Sequence, residues 1–224
     1  MILGNYCTRS CGFCAIETMK NPPLPKEKEL FLIRDLVGKL KLQKVVVTSV
    51  TRDDLPDKGS EHFAMFIELI KDIGSNICIE ALVPDFLGDT GCLKHITDKK
   101  PNVIAHNLET VPRIYKKVRP GAAYQRSLKL IEQVKEINNS ITTKSGIMVG
   151  LGETKKEVYG VMRDLAEAGC DIITIGQYLK PDSSCLNVDR FIPPEEFDLF
   201  GEWARKMGFK RFSCSPFTRS SYLD

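Results

Sequence analysis

No stretch of the 224 residues approaches the ~20 consecutive apolar residues that span a bilayer. No basic region leads into a long apolar core near Met1, so neither a membrane anchor nor a secretory leader is expected. The default location is then the cytoplasm, where eight cysteines read as thiols, thiolates or metal ligands rather than disulfides. Excess charge is missing as well. The 32 basic and 29 acidic residues leave a net charge of +3. The nearest thing to a basic run is Lys116-Lys117-Val118-Arg119, a local patch, so a general nucleic-acid binder is excluded. No repeat or low-complexity tract interrupts the chain, and no domain boundary stands out.

What is present is an ordinary globular composition, 42% hydrophobic and 27% charged, enough to fill a core without disulfides. Runs rich in β-branched residues recur at Lys44 to Val50, Asn76 to Val83, Asn102 to Leu108, Thr143 to Val149, Asp171 to Tyr178 and Phe209 to Cys214, with Met1 to Leu3 as the remnant of an earlier strand. Between them lie apolar faces at helical spacing. These are Leu30, Ile33, Leu36, Val37 and Leu40; Phe63, Phe66, Ile67 and Ile70; Leu128, Ile131, Val134 and Ile137; Val158, Val161, Met162 and Leu165; and Phe197, Phe200, Ala204 and Met207. Pro193-Pro194-Glu195-Glu196 suits a helix start, and Gly169 and Gly208 suit helix ends. Continuous apolar strands alternating with helices predict an α/β fold: a partial parallel (β/α) barrel of about six strands, spanning 1–224 as one domain. Its chemistry should sit on loops after the carboxyl ends of strands.

The stretch Cys7-Thr8-Arg9-Ser10-Cys11-Gly12-Phe13-Cys14 follows the first such strand and sets three soft ligands close together. A structural zinc site would close with a fourth Cys or His, usually in a second pair. Here Cys78, Cys92, Cys170, Cys185 and Cys214 are scattered singly, as are His62, His95 and His106. Three thiolates can instead hold three corners of a 4Fe–4S cube and leave one iron open. A zinc site completed by a distant cysteine, or three unliganded thiols, are the other readings. Gly146-Ile147-Met148-Val149-Gly150-Leu151-Gly152-Glu153 is a strand running into a glycine-rich loop and a helix. Such a loop lets backbone approach a ligand, though it also serves as a tight strand–helix turn.

The C-x3-C-x2-C spacing, with Phe13 before the last cysteine, resembles the signature of radical S-adenosylmethionine enzymes, and the glycine loop resembles their GxIxGxxE element near the adenine. That resemblance implies a 4Fe–4S cluster whose open iron is chelated by S-adenosylmethionine; electron transfer to the sulfonium releases a 5′-deoxyadenosyl radical. Further segments narrow the match. Thr48 to Asp57 (TSVTRDDLPD), Ile79 to Phe86 (IEALVPDF), His106 to Arg113 (HNLETVPR), Val118 to Ala122 (VRPGA), Thr143 to Thr154, Gly176 to Leu179 (GQYL) and the closing Arg219-Ser220-Ser221-Tyr222 resemble the lipoyl synthase family, in order along essentially the whole chain.

The resemblance implies sulfur insertion at carbons 6 and 8 of the octanoyl group on a lipoyl carrier domain or glycine cleavage H protein, with ferredoxin or flavodoxin as electron donor. It makes Cys7, Cys11 and Cys14 the ligands of the radical cluster, and Ser221 a ligand to an iron of a second, auxiliary 4Fe–4S cluster that gives up its sulfur. A hydroxyl oxygen is a harder, more easily protonated donor than a thiolate and should release its iron more readily. Two departures from the family stand out. The CxxxxCxxxxxC stretch that supplies the other auxiliary ligands is absent from this sequence. A truncated chain, a second subunit, or half of the reaction would each account for that. The run Asp182 to Val188 (DSSCLNV) also replaces a basic, His-Leu-Pro-Val-like segment. A biotin synthase-like sulfur-insertion enzyme and a zinc-binding interaction module are the rival assignments.

Other positions carry paired readings. Asn107 and Glu109 are candidates for S-adenosylmethionine contacts, together with Gly146, Gly150 and Glu153, or else a structural pair closing a strand end. Arg52, Asp53 and Asp54 fit an ion-paired network or ligand contacts. Lys144 faces either the barrel interior or solvent. Cys185 and Cys214 lie near the Ser221 end or are plain thiols. His106 reads as a satisfied buried histidine, His62 and His95 as surface residues, and Trp203 as core packing.

Overall fold

The computed structural model describes residues 1–74 and 76–221. Among them, strands β1 (Lys44–Thr48), β2 (Cys78–Leu82), β3 (Val103–Ala105), β4 (Thr142–Val149), β5 (Ile172–Gln177) and β6 (Arg211–Cys214) form one sheet in sequential order, every neighbouring pair parallel. Ile2 adds an isolated parallel bridge to Ser49, with its N–H on the Thr48 carbonyl at 2.8 Å, so the expected strand remnant caps the β1 edge. A singly wound parallel sheet of this order, covered by its crossover helices, is the expected partial α/β barrel.

The helices are α1 (Lys28–Leu40), α2 (Ser60–Lys71), α3 (Thr90–Thr97), α4 (Tyr115–Val118), α5 (Tyr124–Ile137), α6 (Lys155–Glu167) and α7 (Pro194–Lys206). Local signals set their ends. Thr154 and Glu157 form a capping box on α6, Asp89 caps α3, and Pro194 occupies the first turn of α7. Gly169 and Gly208, at φ 78° and 84°, take the left-handed positions after α6 and α7. No helix among the described residues is long and apolar enough to cross a membrane.

Some expectations need correction. On α1, Leu30 and Val37 are buried, but Leu36 and Leu40 are 53% and 59% exposed. They sit on the flank of a helix at the sheet's edge, which packs against α2 on its other side. His62 is half-buried with its Nε2 enclosed and without a protein partner, and His95 is half-buried beside Glu61 at 3.6 Å. Trp203 packs on the core, edge-on to Tyr159 at 5.0 Å. Lys144 faces the barrel interior: its ammonium reaches Glu80 across the concave face at 2.7 Å, and both side chains are buried.

Candidate active site

The cysteine loop lies across the carboxyl ends of the first strands, held by backbone at several points. Cys7 pairs with the chain at Thr18, donating to Glu17 O at 3.0 Å and accepting from Met19 N at 2.9 Å. Thr8 donates from both its backbone and its hydroxyl to Thr51 O, while its Oγ1 accepts from Asp53 N. Gly12 N donates to Val118 O at 2.9 Å, and Leu186 N donates to Gly12 O at 2.7 Å. A Cβ at residue 12 would come within 2.8 Å of the Leu186 side chain and 3.3 Å of the Lys117 carbonyl, which is why a glycine separates Cys11 from Phe13.

Beneath the loop is a buried ion cluster. Arg9 grips Asp53 with two nitrogens at 2.7 and 2.8 Å and reaches Asp85 at 2.6 Å; Asp85 also accepts from Arg126 at 2.8 Å. Burial alone would push the Asp85 carboxyl up, but the Arg9 guanidinium, with Arg126 beside it, holds it well below the usual carboxylate range. Arg52 binds Asp54 with two nitrogens at 2.8 Å and donates to the carbonyls of Leu3, Pro22 and Pro23. The Thr51–Asp54 motif is thus an ion-paired network that clamps the N-terminal segment to the barrel. Of its two sequence readings, the structural one holds.

Cys7, Cys11 and Cys14 line one cavity of about 230 Å³ with Phe13, Asn107, Glu109 and Arg119. Burial pushes the Cys11 thiol up to about 11, against the pull of Arg119, and burial raises Cys14 as well. Glu109, half-buried at φ 68°, is held in place by Glu109 N→Gly146 O and Met148 N→Glu109 O at 2.9 and 2.8 Å. Burial raises its carboxyl and Arg119 opposes the shift. Asn107 Oδ1 and Arg119 Nε are buried without a protein partner. Among the described residues, no three His, Cys, Asp or Glu gather as ligands of a single ion. Three soft thiol donors on the lining of one cavity suit a cube held at three corners, where iron would take the place of the thiol protons.

An adjoining cavity of about 280 Å³ shares Phe13, Asn107 and Glu109 with the first and is edged by Gly146, Met148, Gly176 and Tyr178. A Cβ at residue 146 would stand 2.9 Å from both Asn107 Oδ1 and Thr174 Oγ1. Asn107, Glu109 and Gly146 therefore come together as expected. Gly150 and Glu153 lie further along the loop and are not on the lining of either cavity. Gly150, at φ 101°, leaves room for the Gln177 amide, and Glu153 accepts from Gly150 N at 2.6 Å and Leu151 N at 2.9 Å, tying the glycine loop to itself. Thr218, Arg219 and Ser220 close the far wall. Ser221 follows them, exposed, and Tyr222, the end of the RSSY motif, lies outside the described residues.

Sequence reasoning gave no site role to Arg119 or Arg9, and weighed Cys185 only for a place near Ser221. Arg119, read only as part of a local basic patch and of the VRPGA segment, is 9% exposed and lines the thiol cavity. Arg9 carries no signal beyond its place between two cysteines. Cys185 lines a cleft together with Cys11 and Cys14. The C-x3-C-x2-C pattern itself was the available pointer to Arg9.

Residues 1–165 match the family model described as the radical SAM superfamily. The fold agrees: SuiB of Streptococcus suis bound to S-adenosylmethionine superposes with a TM-score of 0.75 at 10% identity, over 95% of this chain and 48% of that one. Methylornithine synthase (PylB) gives 0.63 at 16% identity, over 98% and 72%. These likenesses define a radical SAM barrel. Curated lipoyl synthases from Caldanaerobacter subterraneus subsp. tengcongensis, Haemophilus influenzae and Chlorobaculum parvum are 50%, 49% and 46% identical to it. Each alignment takes in 99% of this chain and, in the same order, 78%, 69% and 76% of the relative. The chain belongs to the lipoyl synthase family.

Proposed function

We propose that this chain inserts two sulfur atoms, at carbons 6 and 8, into a protein-bound octanoyl group to give the lipoyl cofactor. The observation that carries the reading is the gathering of Cys7, Cys11 and Cys14 on one cavity in a chain about half identical to curated lipoyl synthases. When bound there, a 4Fe–4S cluster with S-adenosylmethionine supplies hydrogen abstraction from unactivated carbon, which no acid or base in this chain could perform.

The chain's own residues hold and enclose the reactants. The three thiolates are assigned to the cluster. Asn107, Glu109 and Gly146 are assigned to S-adenosylmethionine, with the Glu109 carboxylate accepting from hydroxyl or amino groups. Gly150 and Glu153 shape the loop beside it. Phe13, Ile16 and Val50 give the thiol cavity an apolar lining that limits water. Ser221 is assigned to an iron of the auxiliary cluster; the CxxxxCxxxxxC stretch that supplies its cysteine ligands in the family is not among these 224 residues. In this reading residues 1–224 form one barrel domain ending in the RSSY tail, and the chain works in the cytoplasm. The substrates are an octanoylated lipoyl domain or glycine cleavage H protein, and ferredoxin or flavodoxin supplies electrons.

Anaerobic reconstitution tests the assignment. About four irons per chain are expected from one cube, and Cys11→Ala should abolish 5′-deoxyadenosine release. Normal release by that variant would overturn the reading.

A further inference from the structure

Arg119 is a cation built into the thiol cavity. Its Nη1 donates to the Asn107 carbonyl at 2.8 Å and to the Tyr115 hydroxyl at 2.7 Å. From there the donors run in one direction. Tyr115 donates to Ser127 Oγ at 2.9 Å, Ser127 donates to His106 Nε2 at 2.9 Å, and His106 Nδ1 donates to the Val83 carbonyl at 2.8 Å. A carbonyl can only accept, so this last bond puts a proton on Nδ1; burial keeps the ring neutral at pH 7, which leaves Nε2 as the acceptor and Ser127 as its donor. The guanidinium plane is further fixed by the Tyr115 ring, 5.5 Å from its central carbon. One position before it, the Val118 carbonyl holds Gly12 between the cysteines. Residue 119 is thereby tied to the ligand loop through its neighbour.

Its other contacts show what the charge faces. Within the described residues the hydrogen bonds of Arg119 go to neutral acceptors, and its Nε is buried without a partner. Among the described residues it is the only side-chain cation lining the cavity with Cys7, Cys11 and Cys14. Arg9, nearer in sequence, is already neutralised by Asp53 and Asp85. His106, on the same wall, is neutral in its hydrogen-bonded tautomer. Glu109 is, among the described residues, the one carboxylate on that lining, and it partly offsets the charge.

We infer that Arg119 sets the reduction potential of the cluster held by the three cysteines, by presenting a fixed positive charge to it before any S-adenosylmethionine arrives. The inference rests on the cluster assignment proposed above. One-electron reduction adds a negative charge to a group already carrying three thiolates, so a nearby cation in a low-dielectric site favours the reduced state. The electron comes from an external low-potential donor.

The experiment is an anaerobic redox titration of the reconstituted protein with dithionite and mediators, without S-adenosylmethionine, read by electron paramagnetic resonance. Arg119→Met should lower the midpoint so that the reduced-to-oxidised ratio at fixed potential falls about tenfold, equivalent to about 59 mV. Arg119→Lys, which keeps the charge, should restore most of the shift. Equal midpoints for wild type and Arg119→Met, each with about four irons, would overturn the inference and confine Arg119 to a structural or S-adenosylmethionine-binding role. Should Arg119→Met not assemble a cluster, the comparison of Arg119→Lys with Arg119→Gln decides in the same way. If the wild type itself binds no cluster, the proposed function fails first and the inference falls with it.

Discussion

His106 is fully buried between Val83 and Ser127, and burial, reinforced by the Arg119 charge, pushes its pKa down to about 4. In the unfolded chain it would titrate near ~6.5. Between those values the unfolded state binds a proton that the folded state refuses. Its contribution to stability is therefore complete above ~6.5 and is lost as pH falls toward about 4. Urea unfolding of His106→Gln and wild type at pH 7 and pH 5 should show a smaller acid loss in the variant. An identical loss in both would place the acid sensitivity elsewhere. Asp85 acts in the same direction at lower pH, because its carboxyl is held charged by Arg9 and Arg126. The two groups bracket the loop that carries the thiols, so acid should loosen the site in two stages.

The C-terminal tail, at the scale of the element, depends on a missing side chain in β5. A Cβ on Gly176 would run into the Thr218 carbonyl, and Arg219 Nη1 lies 3.5 Å from the same point. The tail is further held by Gln177 N→Pro216 O at 3.3 Å, by Thr218 hydroxyl contacts to Ser213 and Ser215, and by the Lys144 ammonium on the Ser220 carbonyl. Gly176→Ala should force residues 215–220 off the strand and raise their amide exchange, with α6 and α7 unchanged. Gly160→Ala, in a helix with nothing within 4 Å, is the control and should stabilise by about 1 kcal/mol. Unaltered exchange in the tail of the β5 variant would contradict this packing. Elements like these show what a sequence carries and where it stops. The strands were legible because β-branched runs between glycines and prolines have few other uses. The ends of β3 were not, since the chain leaves the sheet after Ala105 to place Asn107 and Glu109 in the cavities. Short motifs drew attention to the thiols, Asn107, Glu109 and Gly146, which line the two cavities. The inward turn of Arg119 was not legible in its motif, because a buried arginine and a surface arginine look alike until the hydroxyls of Tyr115 and Ser127 are folded around it.

Over the whole molecule, the barrel and the ligand loop are held by different forces. The strands β4 and β5 share a long parallel ladder and a buried apolar core. The stretch between Gly4 and Glu27 has little regular structure and depends on Thr51, Val118, Leu186 and the Arg9 ion cluster. A cluster on Cys7, Cys11 and Cys14 would bind only the folded arrangement, and its ligation replaces the thiol protons, including those of Cys11 and Cys14, which burial makes reluctant to ionise. It therefore stabilises the loop by linkage. Stripping the cluster anaerobically with a chelator and a mild oxidant should cost amide protection in residues 7–19 and in the facing run 182–188. The β4–β5 ladder should keep its protection, since none of its hydrogen bonds passes through the thiols. Comparing exchange maps of cluster-loaded and stripped protein checks this. Loss spread evenly into Thr142–Val149 and Ile172–Gln177 would mean that the cluster is a folding requirement for the barrel itself, rather than a ligand on a scaffold that stands without it.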